Sequence, residues 1–194
     1  MSKPKNWPDG FPYLRAPLHS RDVTAAQIKA LRTKPDDVPS APASATQTPS
    51  PLVKIQRISE PSHPANGQHG LFAAQNLRPG TLIVAYLGRV HSGAASAEES
   101  DYDLWLDRGA DVAVDAAREG NEGRFVNDYR GVRERANAQF GNVWCERWGE
   151  VCVGIWVLGG GAKKKGDGGG IRKGEEILVS YGKGFWDERR RDED

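Results

Sequence analysis

Apolar residues in this 194-residue chain come in short runs rich in β-branched and aromatic side chains, and most runs are closed by glycine, proline or a polar turn. This punctuation constrains the fold most, because strands of four to eight residues bounded by turn signals build small sheets rather than helical layers. Residues 52–58 alternate in part and read as the first strand of a domain, and residues 70–74 start a second. Residues 81–86 form a continuous run, as in a strand buried on both faces, entered by a tight turn at Arg78, Pro79 and Gly80. Residues 102–106 and 112–115 predict a hairpin across 108–111. Residues 137–145 and 151–158 predict another, turned at Trp148, Gly149 and Glu150, and residues 176–179 the last strand. Segments 61–68 and 91–100 read as loops. A single short helix is predicted over residues 24–32: Ile28 and Leu31 lie three apart on one face, Asp22 or Thr24 can cap it, and Pro35 ends it.

The remaining segments lack such patterns. Residues 1–20 mix prolines with Trp7, Phe11 and Tyr13, and read either as an extended arm that packs on something or as disorder. Residues 35–51 are mostly Pro, Ser, Ala and Thr, a linker with no means to form a core. Residues 159–170 hold seven glycines in twelve positions around Lys163, Lys164 and Lys165, which marks a flexible insertion whose lysines are solvated or dock a substrate. The expected organisation is an arm, helix and linker over 1–51, a domain over 52–186 carrying that insertion, and a charged tail over 187–194.

The net charge of +1 gives no strong field to draw the chain to nucleic acid or to a membrane. No apolar run is long enough to span a bilayer, and the first residues carry no apolar signal region, so a soluble intracellular protein is expected. The two cysteines, Cys145 and Cys152, cannot form a cysteine-based zinc cluster; no metal site is expected, and both read as reduced strand residues.

Residues 120–137 carry the densest chemistry. A polar turn runs into Phe125 and Val126, which read as buried, and directly on to Asn127 and Asp128. A buried amide left unpaired costs about 1–3 kcal/mol, so either local backbone or a ligand must satisfy Asn127. Upstream stand His69, Gly70, Leu71, Phe72 and Ala73, then Tyr86, Leu87 and Gly88; downstream stand Gly174, Glu175 and Glu176, then Tyr181 and Gly182. The Arg124-Phe125-x-Asn127 motif and the Glu175-Glu176 to Tyr181-Gly182 ending, in this order, resemble the SET-domain protein lysine methyltransferases, nearest to their compact, zinc-free fungal members, over roughly residues 52–186.

The resemblance implies a mainly β, SET-domain fold of several small sheets with a C-terminal pseudoknot, beside the short N-terminal helix. It implies S-adenosyl-L-methionine as cofactor and a protein lysine as methyl acceptor. By family habit the acceptor is a histone in the nucleus, with a ribosomal or translation-factor lysine as the alternative substrate. A catalytically silent module that binds a protein partner is the rival reading. Carried over residue by residue, the backbone of Gly70, Leu71 and Phe72 would contact the methionine end of the cofactor. Asn127 would bind the same moiety, the backbone of Asp128 the adenine, and Trp186 would close over the cofactor. Tyr181 would be the catalytic tyrosine. Tyr86, Tyr102, Phe140, Val179 and Phe185 would line the lysine channel, and Arg124 is read as structural rather than as a ligand. Asn137 matches the family's second asparagine. Asp128 stands where the family has histidine, and Gln68 where it has the first glycine of its glycine-x-glycine. Trp7, Phe11 and Tyr13, read as exposed, suggest a homodimer; Trp105, Trp144, Trp148 and Trp156 are assigned to packing or interfaces.

Overall fold

The computed structural model describes residues 3–93, 100–159 and 169–182. Along the chain these form β1 (Leu18–His19), α1 (Ala25–Leu31), β2 (Ser40–Ala41), β3 (Val53–Arg57), β4 (His69–Ala73), β5 (Leu82–Tyr86), β6 (Arg89–Ser92), β7 (Asp103–Asp107) and β8 (Val112–Asp115). A 3-10 turn (Glu122–Phe125), β9 (Asn127–Asp128), β10 (Ala138–Cys145), β11 (Glu150–Val157) and β12 (Leu178–Val179) follow. The strands make two four-stranded sheets, ordered β1-β6-β8-β7 and β2-β10-β11-β5, and two two-stranded ones, β3-β4 and β9-β12. The fold is mainly β, built of several small sheets and one short helix.

Local chemistry explains the longer elements. In β3, Val53 and Ile55 are buried and Lys54 between them is exposed, the two-residue period of a half-buried strand, which lapses at Arg57 on the strand's end. β5 is buried at all five positions, as its unbroken apolar run predicts. β10 and β11 pair antiparallel over eight residues, and the turn between them puts Gly149 at φ 64°, a left-handed conformation that glycine adopts without penalty. β7 and β8 form the expected second hairpin. Of the two expected caps for α1, Thr24 is the one in place: its side chain accepts the Gln27 N–H and Gln27 returns the bond, a capping box. Asp22 accepts the Ser92 N–H at 2.8 Å instead.

Three sequence expectations are corrected. The 35–51 segment is not a detached linker. Ser40 and Ala41 pair parallel with Trp144 and Cys145 of β10, Ala41 and Thr46 are buried, and the Ser50 N–H donates to Glu122 Oε1 at 2.8 Å. Backbone bonds and the small side chains of Ala41 and Ala45 dock it, so its composition carried no signal. The arm packs on its own domain. Trp7 is only 7% exposed, edge-on to Phe11, Tyr13 and Phe125, and the Leu14 N–H donates to the Gly120 carbonyl while the Gly120 N–H donates to the Pro12 carbonyl, which zips the arm to the chain just before the 3-10 turn. The aromatics taken as exposed dimer contacts therefore serve the core. His91 and Ser92, read as loop, complete β6. Trp105 is 44% exposed, with Arg108 stacked over its ring.

The insertion at 160–168, Phe185, Trp186 and the 187–194 tail lie outside the described residues. Among the described residues, no helix is long and apolar enough to cross a membrane, and no cluster of three or more His, Cys, Asp or Glu could hold a metal ion. Cys145 and Cys152 are free and buried.

Candidate functional site

The 3-10 turn is fixed by Asn121, which has no exposed surface. Its Oδ1 accepts the N–H groups of Leu87 and Gly123, and its Nδ2 donates to the Ala85 carbonyl, so the turn is fastened to the end of β5. The turn delivers Phe125, Val126 and β9 to the middle of the molecule.

The C-terminal segment meets β9 there. On one side Ala73 and Ile177 donate backbone bonds that join it to β4, at 2.9 and 2.8 Å. On the other, Leu178 and Val179 pair parallel with Asn127 and Asp128. The Asn137 side chain bridges the join like a piece of strand: Nδ2 donates to the Glu176 carbonyl and Oδ1 accepts the Leu178 N–H, both at 2.8 Å. Held from both sides, the segment carries Tyr181 to a cleft of about 570 Å³ that Asn127, Asp128, Tyr102, Phe125 and Arg124 also line.

The polar groups in this cleft are paired in a definite pattern. The Tyr181 hydroxyl donates to the Val126 carbonyl at 2.6 Å, and its N–H donates to Asp128 Oδ2 at 2.8 Å. Asp128 also accepts the Arg130 backbone N–H at 2.8 Å and its guanidinium at 2.9 Å. The carboxylate at this position is thus a bracket joining three points of backbone, with charge-assisted bonds of the stronger kind. Asn127 donates its Nδ2 to Glu176 Oε1 at 2.9 Å, and Glu176 Oε2 meets His63 Nε2 at 2.9 Å. Arg124 donates from Nε to the Ala116 carbonyl, and its guanidinium stacks on Phe11 at 4.3 Å, Tyr102 at 4.6 Å and Phe125 at 5.2 Å. It is a packing cation here.

Of the residues singled out from sequence, Asn127, Asp128, Tyr181 and Tyr102 share the cleft. Gly70, Leu71 and Phe72 lie on β4 beside it, Gly70 and Leu71 buried, with His69 reaching the cleft wall. Tyr86 is buried behind Tyr102, donating to its carbonyl at 2.8 Å and edge-on to Phe140 at 6.1 Å. Burial, reinforced by neighbouring Tyr181, pushes the Tyr86 phenol well above its ordinary value, so it stays protonated. Val179 has no exposed surface and packs in the core. Phe185 and Trp186 lie outside the described residues. The sequence reading missed His63, His69, Phe125 and Arg130 as cleft residues, and Pro8 of the arm. His63 and Arg130 sit in segments with no period to read; Pro8 depends on the arm folding back.

No protein-family model matches the chain, and no curated protein matches it. The fold is similar to that in the crystal structure of the Chaetomium thermophilum polycomb repressive complex 2, with a TM-score of 0.51 and 21% identity over 69% of this chain and 16% of that one. It is also similar to ctPRC2 in an autoinhibited conformation bound to S-adenosylmethionine, with a TM-score of 0.50 and 20% identity over 73% of this chain and 17% of that one. A third likeness is to an active polycomb repressive complex 2 in the basal state, with a TM-score of 0.50 and 22% identity over 69% of this chain. The chain spans about a sixth of the length of these matched chains. The class they define for this chain is a SET-like fold.

Proposed function

We propose that this chain is an S-adenosylmethionine-dependent protein lysine N-methyltransferase. One observation carries the reading: a tyrosine hydroxyl with its proton already committed, an asparagine with an amide hydrogen committed, and aromatic residues line one cleft of ligand size. The residues fit the cofactor. The cleft volume lies within the range of about 300–1,000 Å³ usual for small-molecule sites. Asn127, donating to Glu176, offers its oxygen to an ammonium; the Phe125 and Tyr102 rings, both packed on Arg124, add apolar wall for an adenine.

When bound, S-adenosylmethionine supplies a methyl group on a sulfonium, whose positive charge favours the neutral form of a nearby lysine amine. The chain's own groups do the rest. Because Tyr181 donates its hydrogen to Val126, its oxygen acts toward the amine as an acceptor, suited to take an N–H and aim the nitrogen lone pair. The clamp around β12 holds that oxygen in place, and alignment of reacting groups can lower a barrier by several kcal/mol, up to about 10. Tyr86, kept protonated by burial, supports Tyr102 and does not act as a base. A histone lysine and a nuclear setting are proposed for the acceptor on the strength of the motif resemblance. Transfer of a labelled methyl from S-adenosylmethionine to histones and to whole-cell protein tests the reading; a folded protein that labels nothing overturns it.

A further inference from the structure

His63 belongs to none of the motifs and lies in a loop between β3 and β4, yet it is only 9% exposed. Its Nδ1 accepts the Ala65 N–H at 3.0 Å, so the ring hydrogen sits on Nε2 and is donated to Glu176 Oε2 at 2.9 Å. The other Glu176 oxygen accepts Asn127 Nδ2 at 2.9 Å. The β4 backbone walls this carboxylate in: a Cβ on Gly70 would lie 2.5 Å from Glu176 Oε1. A carboxylate so enclosed needs donors to offset its desolvation, and His63 and Asn127 supply them. The arrangement has one consistent set of proton positions. A carboxylate accepts only from the amide nitrogen of Asn127, so the amide oxygen is the end left toward the cleft.

We propose that His63 is a positioning residue: through Glu176 it fixes the orientation of Asn127, so that the cleft presents an amide oxygen, backed by a buried negative charge, to the ammonium of an amino-acid-bearing ligand. The inference rests on the cofactor reading above and assigns the device that selects the cofactor's amino-acid end. Without His63, Glu176 loses one of its two donors and no longer holds Asn127 in a single orientation. An asparagine turned the other way points its N–H groups at the ammonium and repels it.

Calorimetric titration of the full chain with S-adenosylhomocysteine and with 5′-methylthioadenosine, which lacks the amino-acid end, tests this. His63→Leu is expected to weaken S-adenosylhomocysteine about tenfold, the size of one lost bond to a charged group, and to leave 5′-methylthioadenosine within about twofold. His63→Gln, which still donates to Glu176, is expected to recover most of the loss. Glu176→Gln, which keeps the volume and removes the charge, carries the same expectation as His63→Leu and serves if that variant does not unfold cooperatively. Equal weakening of both probes, or of neither, overturns the role of His63 while the cofactor reading stands. A wild-type chain that binds neither S-adenosylmethionine nor S-adenosylhomocysteine overturns the cofactor reading and this inference with it.

Discussion

Tyr181 donates its phenolic hydrogen to a carbonyl, and under the proposed reaction that bond makes its oxygen an acceptor toward an incoming amine. Tyr181→Phe removes the oxygen while keeping the ring. Methyl transfer is expected to fall about 100-fold or more, the scale of a misplaced reacting group, while S-adenosylmethionine affinity stays within about twofold. Label transfer and calorimetry measure the two separately; near wild-type turnover removes Tyr181 from the chemistry. The motifs made Tyr181 and Asn127 legible, but not what their neighbours do. Asp128 stands 53 positions from the Tyr181 N–H it receives, and His63 stands 113 positions from Glu176, so neither pairing left a local trace. Glu122 was equally silent. It is 1% exposed, and burial raises its pKa, only partly offset by the Ser50 N–H and the Tyr13 hydroxyl, which donate to it. A raised carboxylic acid favours the fold in its protonated form. Its contribution is therefore fully present below the ordinary value of 4.5 and is lost as pH climbs through the raised value. Unfolding free energies across that range are expected to fall less steeply with pH in Glu122→Gln than in wild type; parallel profiles would show that Glu122 does not titrate in the fold.

Whole elements were readable where pattern and partner lie close together in sequence. β5 announces itself by an unbroken apolar run, and the β7–β8 and β10–β11 hairpins by a turn between two β-rich segments. Of the two-residue strands only β12 was readable, within the run 176–179. β1, β2 and β9 each pair parallel with a strand far along the chain, so their existence is a property of the partner's exposed backbone. Residues 35–51 were misread for the same reason. The C-terminal clamp depends on such a pairing, and Asn137 reinforces it with both ends of its amide. Asn137→Ala leaves the Leu178 N–H and the Glu176 carbonyl short of these partners, and is expected to cost about 3 kcal/mol. Chemical denaturation reads that loss directly, and S-adenosylmethionine affinity should fall as well, because the segment orders Glu176 and Tyr181. A variant of undiminished stability would show that backbone pairing with β4 and β9 holds the segment without the Asn137 bridge.

At the scale of the molecule, four distant pieces of chain converge on the cleft: the loop and strand around β4, Asp101 and Tyr102 just before β7, the turn leading to β9, and the C-terminal segment. A fifth, the arm, closes round them. Trp7 lies edge-on to Phe125 at 5.6 Å, its Nε1–H donates to the Phe11 carbonyl at 2.8 Å, and Asn6 Nδ2 donates to the Ile55 carbonyl at 2.7 Å. Phe11 in turn backs the Arg124 guanidinium, and Pro8 forms part of the cleft wall. The sequence left packing and disorder open for this arm, because aromatics among prolines suit either; the groove that receives them is assembled from distant segments, around Ile55 and around Gly120 to Phe125. Trp7→Ala removes the largest ring of this cluster, and large-to-small changes of buried aromatics cost about 3–5 kcal/mol where the surroundings cannot collapse. A loss near the lower end, about 3 kcal/mol, is expected here, since Trp7 sits at the edge of the core and the arm can shift. The arm also supports two residues of the cleft, so S-adenosylmethionine affinity should weaken in the same variant at temperatures where it remains folded. Denaturant unfolding together with calorimetry separates the two effects: lost stability with unchanged affinity would confine the arm to scaffolding, and no change in either would show that the arm does not pack on the domain in solution.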